Sequence, residues 1–332
     1  AIAYAKESGN TYVALGEKFT LYSEYLMPDV EGESQRFENL LQDIGAGIDD
    51  GFESKEQMEE MMADLSTLFT DYVMGPVRES ASEAEPADIT AAILNPSFEG
   101  ILNPNNQKEY WTASKDGGNE GYQAGIYEFY GNNSFDIHQT VTGLSEGYYR
   151  VRVQSFYRPG NNQDVADSLS TCGTDYGRYA VLYANDLQQA LKNPLERADE
   201  DGNLSTDILA GEGSEVAVKW GDVEQFYVPN DRTALAHYFE AGIYWNTLDV
   251  KVGADGVLTI GLRKSQSVAG DWCPFDNFEL YYLGTTAPTA VESIADDTER
   301  TAQNSSWFDL QGRRVLRPTH GVYIRDGKKV LK

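Results

Sequence analysis

Cysteine and histidine are nearly missing from this chain of 332 residues, which has 2 Cys and 3 His. Zinc sites and thiol catalysis draw on those side chains, so both chemistries have almost no raw material. Positive charge is also scarce. Lys and Arg number 26 against 53 Asp and Glu, a net charge of −27. That charge repels phosphate backbones and anionic headgroups, which excludes nucleic acid and acidic membrane as expected partners. No apolar run reaches the roughly 18 residues of a membrane-spanning helix. What the chain does have is aromatic: 21 Tyr, 13 Phe and 5 Trp, beside 31 Gly. This composition suits a β-rich sandwich or barrel with polar-aromatic surfaces, although tyrosine also simply fits half-buried strands.

The charge is spread in three zones: 5 basic against 20 acidic residues over 1–90, 13 against 27 over 91–290, and 8 against 6 over 291–332. The first zone reads as helices. Apolar stripes at helical spacing run through Leu15, Phe19, Tyr22 and Leu26, then Phe37, Leu40, Leu41, Ile44 and Ile48, then Met58, Met61, Met62, Leu65, Leu68, Phe69 and Tyr72. Ser54 with Gln57 three residues later is a capping-box start, and Gly75-Pro76 is a stop. Three such helices with short loops predict a three-helix bundle over 1–86, acting as a spacer.

The second zone, 87–288, reads as strands. Residues 135–141 alternate, and Tyr149, Val151, Val153, Ser155 and Tyr157 alternate with Arg150, Arg152, Gln154, Phe156 and Arg158. Further strands are expected at 178–184, 248–252, 257–262 and 275–282, with a turn at Ala254-Asp255-Gly256. Short strands and long connections predict an antiparallel β-sandwich. The stretches 160–176 and 186–235 are long for loops, a length that goes with function or mobility. The third zone, 289–332, begins with a polar linker and ends in a small β-hairpin unit with a turn at Asp326-Gly327.

Two chemical motifs fail on inspection. Gly143-Leu144-Ser145-Glu146-Gly147 matches the serine-hydrolase elbow, but that elbow needs a helix after it, and strands flank this one on both sides. Asp199, Asp201, Asn203, Ser205 and Asp207 alternate as in a calcium loop, yet Leu204 and Ala210 stand where glycine and glutamate are required. No spacing singles out a carboxylate pair for glycoside hydrolysis among the 53 acids. The expectation is a protein without a catalytic site of its own.

The positive signal lies in aromatic residues beside polar ones. Sugars present apolar C–H faces to rings and hydroxyl rims to hydrogen-bonding side chains. Arg152, Gln154, Phe156 and Arg158 share one strand face, and Trp111, Trp245 and Trp272 lie near strand ends or in loops. These seven are the candidate ligand-binding residues, and a packing role remains the competing reading for each tryptophan. Cys172 and Cys273 either pair in an oxidising compartment or remain two buried thiols.

Leu94-Asn95-Pro96-Ser97-Phe98-Glu99-Gly100, followed by Trp111, resembles the first strand of galactose-binding-like jelly-roll modules, the fold of many carbohydrate-binding modules. Asp271-Trp272-Cys273-Pro274-Phe275-Asp276-Asn277-Phe278-Glu279-Leu280 is similar to their last strand. Gly147 to Arg158 and Tyr238 to Tyr244 look like the jelly rolls of secreted Bacteroidetes glycan-degrading proteins. The resemblance covers about 190 residues. It implies a structural calcium where first and last strands meet, with Glu99 and Asp276 as its acids. The C-terminal 309–330 segment is similar to the sorting tails of exported Bacteroidetes proteins, at roughly half their usual length.

Together these features predict a three-helix bundle, a jelly-roll sandwich and a small β tail. The implied role is a non-catalytic glycan-binding region of a secreted or cell-surface polysaccharide-processing protein, on the outer surface or in the periplasm of a Gram-negative cell. Its partners would be plant-type polysaccharide or oligosaccharide, and catalytic or binding domains upstream in a longer protein. The alternative is a structural spacer or protein-interaction domain of a multidomain exported enzyme.

Overall fold

A computed structural model describes residues 33–50, scattered positions from 54 to 75, 77–100, 104–172, 176–203, 209 and 213–288, and strand residues between 307 and 331. The chain divides into two compact units, Ala1–Pro288 and Thr289–Lys332.

In the first unit, strands β1 (Ala87–Asp88), β2 (Thr112–Gln123), β3 (Ile126–Val141), β4 (Gly147–Ser155), β5 (Ala180–Ala184), β6 (Leu187–Ala190), β9 (Trp245–Val252), β10 (Leu258–Lys264) and β11 (Trp272–Tyr282) hydrogen-bond into one antiparallel system. Its main order is β6-β5-β10-β3-β11-β4-β9. The long strand β3 joins the two walls of a sandwich: residues 127–130 pair with β11, and residues 135–141 pair with β10. Period-two alternation then puts Tyr149, Val151 and Val153 of β4, Leu248, Val250 and Val252 of β9, and Ile260 and Leu262 of β10 into one buried cluster. Arg150 and Arg152 of β4 face outward with Thr247 and Asp249 of β9.

The sequence motif 143–147 sits between β3 and β4, both strands, as a hairpin connection. Two helices and a second sheet decorate the sandwich. The helix Asn162–Cys172 packs Val165, Ala166 and Leu169 against Val218, Phe226 and Val228 of the hairpin β7 (Glu215–Trp220) and β8 (Val223–Pro229). The helix Arg232–Glu240 starts at Asp231, whose side chain accepts the Ala234 N–H at 2.8 Å. It buries Leu235, Tyr238 and Phe239 with Ile126, Phe156, Tyr244 and Trp272.

The three-helix bundle is overturned. The stripe at 15–26 lies outside the described residues. The second forms the helix Glu33–Asp50. The third is capped by Ser54, whose Oγ accepts the Gln57 N–H at 3.1 Å, and helical residues continue to Met74. Ile44 and Met74 are buried in the same cluster as the sandwich interior, and Leu40, Met61 and Leu68 pack against that cluster. The Tyr149 hydroxyl reaches the Met74 sulfur at 3.9 Å, and Arg78 Nε donates to Ser145 Oγ at 2.8 Å. The described apolar residues of the second and third helical stretches cover the sandwich rather than one another. Spacing alone reports that a helix has an apolar face, not what lies against it.

The second unit, described by itself, holds a four-stranded antiparallel sheet of β12 (Trp307–Phe308), β13 (Arg314–Val315), β14 (Val322–Arg325) and β15 (Lys328–Leu331), ordered β13-β12-β14-β15. The expected Asp326-Gly327 turn lies outside the described residues.

Candidate binding sites

Two open pockets in the sandwich unit place a tryptophan beside an arginine. The first lies on the outer face of β4, β9 and β11, has a volume of about 470 Å³, and is walled by Arg150, Arg152, Lys192, Glu200, Trp245 and Tyr281. The Arg152 guanidinium lies 4.1 Å from the Trp245 ring centroid. It also pairs with Glu279 at 2.9 Å and with Glu200. Arg150 grips Asp249 through two bonds of 2.8 Å, which raises the Arg150 pKa further. The face of Trp245 toward Arg152 is thus covered, and both arginines are matched by carboxylates. Burial raises the Glu279 pKa even beside Arg152, and lowers that of Lys192.

The second pocket, about 390 Å³, opens where β3 and β11 meet the helix Arg232–Glu240. Trp272 stands directly opposite Tyr130 across the β3–β11 ladder. Trp272 is 5% exposed and Tyr130 is 38% exposed, the exposed large apolar side chain of the described residues. Chain geometry holds Tyr130 at this rim. Gly131 has φ 78° and Asn132 has φ 74°, which bends β3 just after the tyrosine. The bend is pinned to Asp271, whose carbonyl accepts the Gly131 N–H and whose Oδ1 accepts the Asn132 N–H, both at 3.0 Å. Asp271 in turn forms a buried ion pair with Lys264, each side chain 1% exposed. Burial pushes the Lys264 ammonium down to about 8.

Arg158 lies over the Trp272 ring at 4.9 Å and donates from Nη1 to Asn230 Oδ1 at 3.0 Å. Burial lowers its pKa to about 10. Trp272 Nε1 donates to Glu128 Oε2 at 2.6 Å, and Arg232 bridges Glu128 at 3.1 Å and Gln123 at 3.0 Å.

The seven candidate side chains therefore part company. Arg152 and Trp245 line the sheet-face pocket, and Arg158 and Trp272 line the rim pocket. Gln154 is buried, donating to the Phe239 and Ile243 carbonyls at 2.8 and 3.1 Å and accepting from Asn277 at 2.8 Å. Phe156 is fully buried, edge-on to Tyr244 and Trp272. The face that carries Arg152 is covered at its Gln154–Phe156 end by the helix Arg232–Glu240, whose Leu235, Tyr238 and Phe239 pack with Phe156. Trp111 is buried against Phe98 and Phe278 and donates to the Asn95 carbonyl at 2.9 Å. Tyr130, Glu128 and Arg232 complete the rim pocket and were not singled out by sequence. The signal was present as an aromatic residue just before Gly131-Asn132-Asn133, a turn-type cluster inside a strand.

Glu99 is exposed and Asp276 half-buried. Burial lifts the Asp276 carboxyl to about 8, opposed by the Asn277 N–H on Oδ1 at 2.8 Å and reinforced by the charge of Glu99. The two provide hard oxygen donors of the kind calcium takes. Among the described residues no three His, Cys, Asp or Glu side chains gather as a metal cluster, so further ligands would have to be carbonyls or water. Cys273 is a free, buried thiol with its pKa pushed up to about 12 by burial.

No family model matches the chain, and no curated protein matches it. Among solved structures it is similar to TmCBM61 in complex with β-1,4-galactotriose, with 16% identity and a TM-score of 0.26 over 57% of this chain and 97% of that one. A CBM4 structure gives 10% identity and a TM-score of 0.28 over 57% and 99%. The enzymatically active domain of bacteriophage CBA120 tailspike protein 4 gives 13% and 0.24 over 57% and 21%. Scores this low carry no argument about fold or ligand, so the functional reading rests on the chain's own residues.

Proposed function

We propose that the sandwich is a non-catalytic glycan-binding module of an exported polysaccharide-processing protein, and that the sugar binds in the rim pocket. The observation that carries this reading is Tyr130, an exposed ring beside an open pocket rimmed by Gln123, Arg158, Asn230, Arg232 and Thr233. A ring offers the apolar platform for a sugar's C–H face, and the surrounding amides and guanidiniums suit its hydroxyls. The resemblance of residues 94–100 and 271–280 to carbohydrate-binding jelly rolls supports the same reading. One site of this kind binds weakly, and avidity with neighbouring domains would raise retention. A calcium ion held by Glu99 and Asp276 would brace the irregular 94–100 segment against β11, where the Phe278 N–H already bonds the Pro96 carbonyl at 3.0 Å.

Affinity electrophoresis of the full chain through xylan, galactan, β-glucan and mannan tests the proposal. Retardation by one polymer, lost in Tyr130→Ala, is the expected result. Free migration in every polymer would overturn it and leave the spacer or protein-interaction reading.

A further inference from the structure

The rim pocket is lined by three carboxylates and two guanidiniums, and their pairing is uneven. Glu128 is taken by Trp272 Nε1 and Arg232. Asp231 is taken by the N–H groups of Ala234 and Ser214, each at 2.8 Å. Asp271 is taken by Lys264, the Asn132 N–H and the Tyr157 hydroxyl. Arg232 is matched by Glu128. That leaves Arg158. Among the described residues it has no carboxylate within ion-pair distance, its Nε is buried without a hydrogen bond, and its one side-chain hydrogen bond uses Nη1.

Burial penalises the charge of Arg158, and the field of Glu128, whose oxygens are already engaged by Trp272 and Arg232, offsets that penalty only in part. Guanidinium N–H groups make charge-assisted bonds to carboxylates, and with Nε buried and Nη1 on Asn230, Nη2 is the donor of Arg158 left to meet a ligand. We infer that the pocket accepts a uronate, its carboxylate meeting Nη2 of Arg158 while the sugar ring lies on Tyr130. The inference rests on the glycan-binding reading and names the sugar class. The net charge of −27 narrows it further. A dense polyuronate is repelled by such a protein, whereas a single uronate branching from a neutral backbone carries little charge beyond the one that Arg158 meets.

The test compares a xylan bearing sparse glucuronate side groups with the same polymer after its carboxyls are reduced to primary alcohols. Neutral galactan, β-glucan and mannan, and polygalacturonate, run in parallel. The full chain is expected to bind the native xylan at least tenfold more tightly than the reduced one, and polygalacturonate more weakly than the native xylan. Arg158→Gln should erase the preference, while Arg158→Lys should keep part of it. Tyr130→Ala should lose both forms. Equal binding of native and reduced xylan by the unmodified chain, binding confined to a neutral polymer, or a preference that survives Arg158→Gln would overturn the uronate inference and leave glycan binding standing. Tighter binding of polygalacturonate would overturn the sparse-charge argument. Failure to bind any polymer would remove both readings. The reduced-polymer comparison on the unmodified chain decides the question even if an Arg158 variant does not fold.

Discussion

The two pockets use the same pair of residue types to opposite ends. On the sheet face, Arg152 covers Trp245 and is held by Glu279 and Glu200, while Arg150 is held by Asp249. At the rim, Arg158 covers Trp272 and hydrogen-bonds an amide, with Glu128 acting on it only through space, and an exposed Tyr130 stands alongside. Arginine on tryptophan is therefore no signature of binding by itself. What separates a structural pair from a recognition pair is whether carboxylates have already matched the cation and whether a ring face is left open.

The largest expected break in that comparison is at the rim. Asp271→Leu leaves Lys264 buried without its partner, a loss on the order of 3–5 kcal/mol, and releases the Gly131–Asn132 bend. Urea unfolding should show that loss, whereas Glu279→Gln on the sheet face should stay within about 1 kcal/mol. Similar losses at both would mean that the two regions are not built differently.

Next comes binding. Tyr130→Ala should weaken glycan retention by about tenfold, roughly 1.4 kcal/mol, with little change in Tm because the ring is already partly in water. Trp245→Ala should leave retention within about twofold. The reverse pattern would move the site to the sheet face.

A third measurement concerns the acid pair. The Asp276 pKa lies at about 8 in the fold against an ordinary 3.8. A raised carboxyl pKa means that the folded state holds the proton more tightly. Its stabilising contribution is complete below about pH 4, fades as pH rises, and is gone above about pH 8. Asp276→Asn is neutral throughout, so its Tm should equal that of the unmodified chain near pH 4 and exceed it by a margin that grows toward pH 8. Calcium should narrow the margin at pH 8 by raising only the unmodified chain. A margin that calcium does not change would remove the ion from this site.

The smallest effect is expected at Arg150→Lys. It keeps the charge but loses the two-bond grip on Asp249, and should cost less than about 1 kcal/mol in thermal unfolding.

The strands were legible wherever one face is buried and the other wet. Residues 147–155 and 258–264 alternate because their neighbours are interior on one side and solvent on the other. β2 was missed since its Asp116-Gly117-Gly118-Asn119 stretch reads as a turn, although it pairs along β3 through a register shift at Gly117 and Asn119. The helix 162–172 and the hairpin β7–β8 lie within the long connections 160–176 and 186–235, and the helix 232–240 begins at the end of the second; all are short and pack on small satellite clusters, so no long periodicity marks them. The buried roles of Gln154 and Trp111 depend on carbonyls of residues distant in sequence or presented by irregular backbone, which no local pattern announces.

The sequence by itself determined the regularly alternating sandwich strands, the helical character of 33–50 and of the described residues up to Met74, the acidic charge and the scarcity of cysteine and histidine. These follow from side-chain periodicity and composition, which are local or additive. Only the tertiary structure decided what those helical residues cover, which arginine is matched, and which aromatic ring stays open. Those depend on pairings such as Tyr130 with Trp272 and Asp271 with Lys264, where the partners come together only when the chain closes around its core.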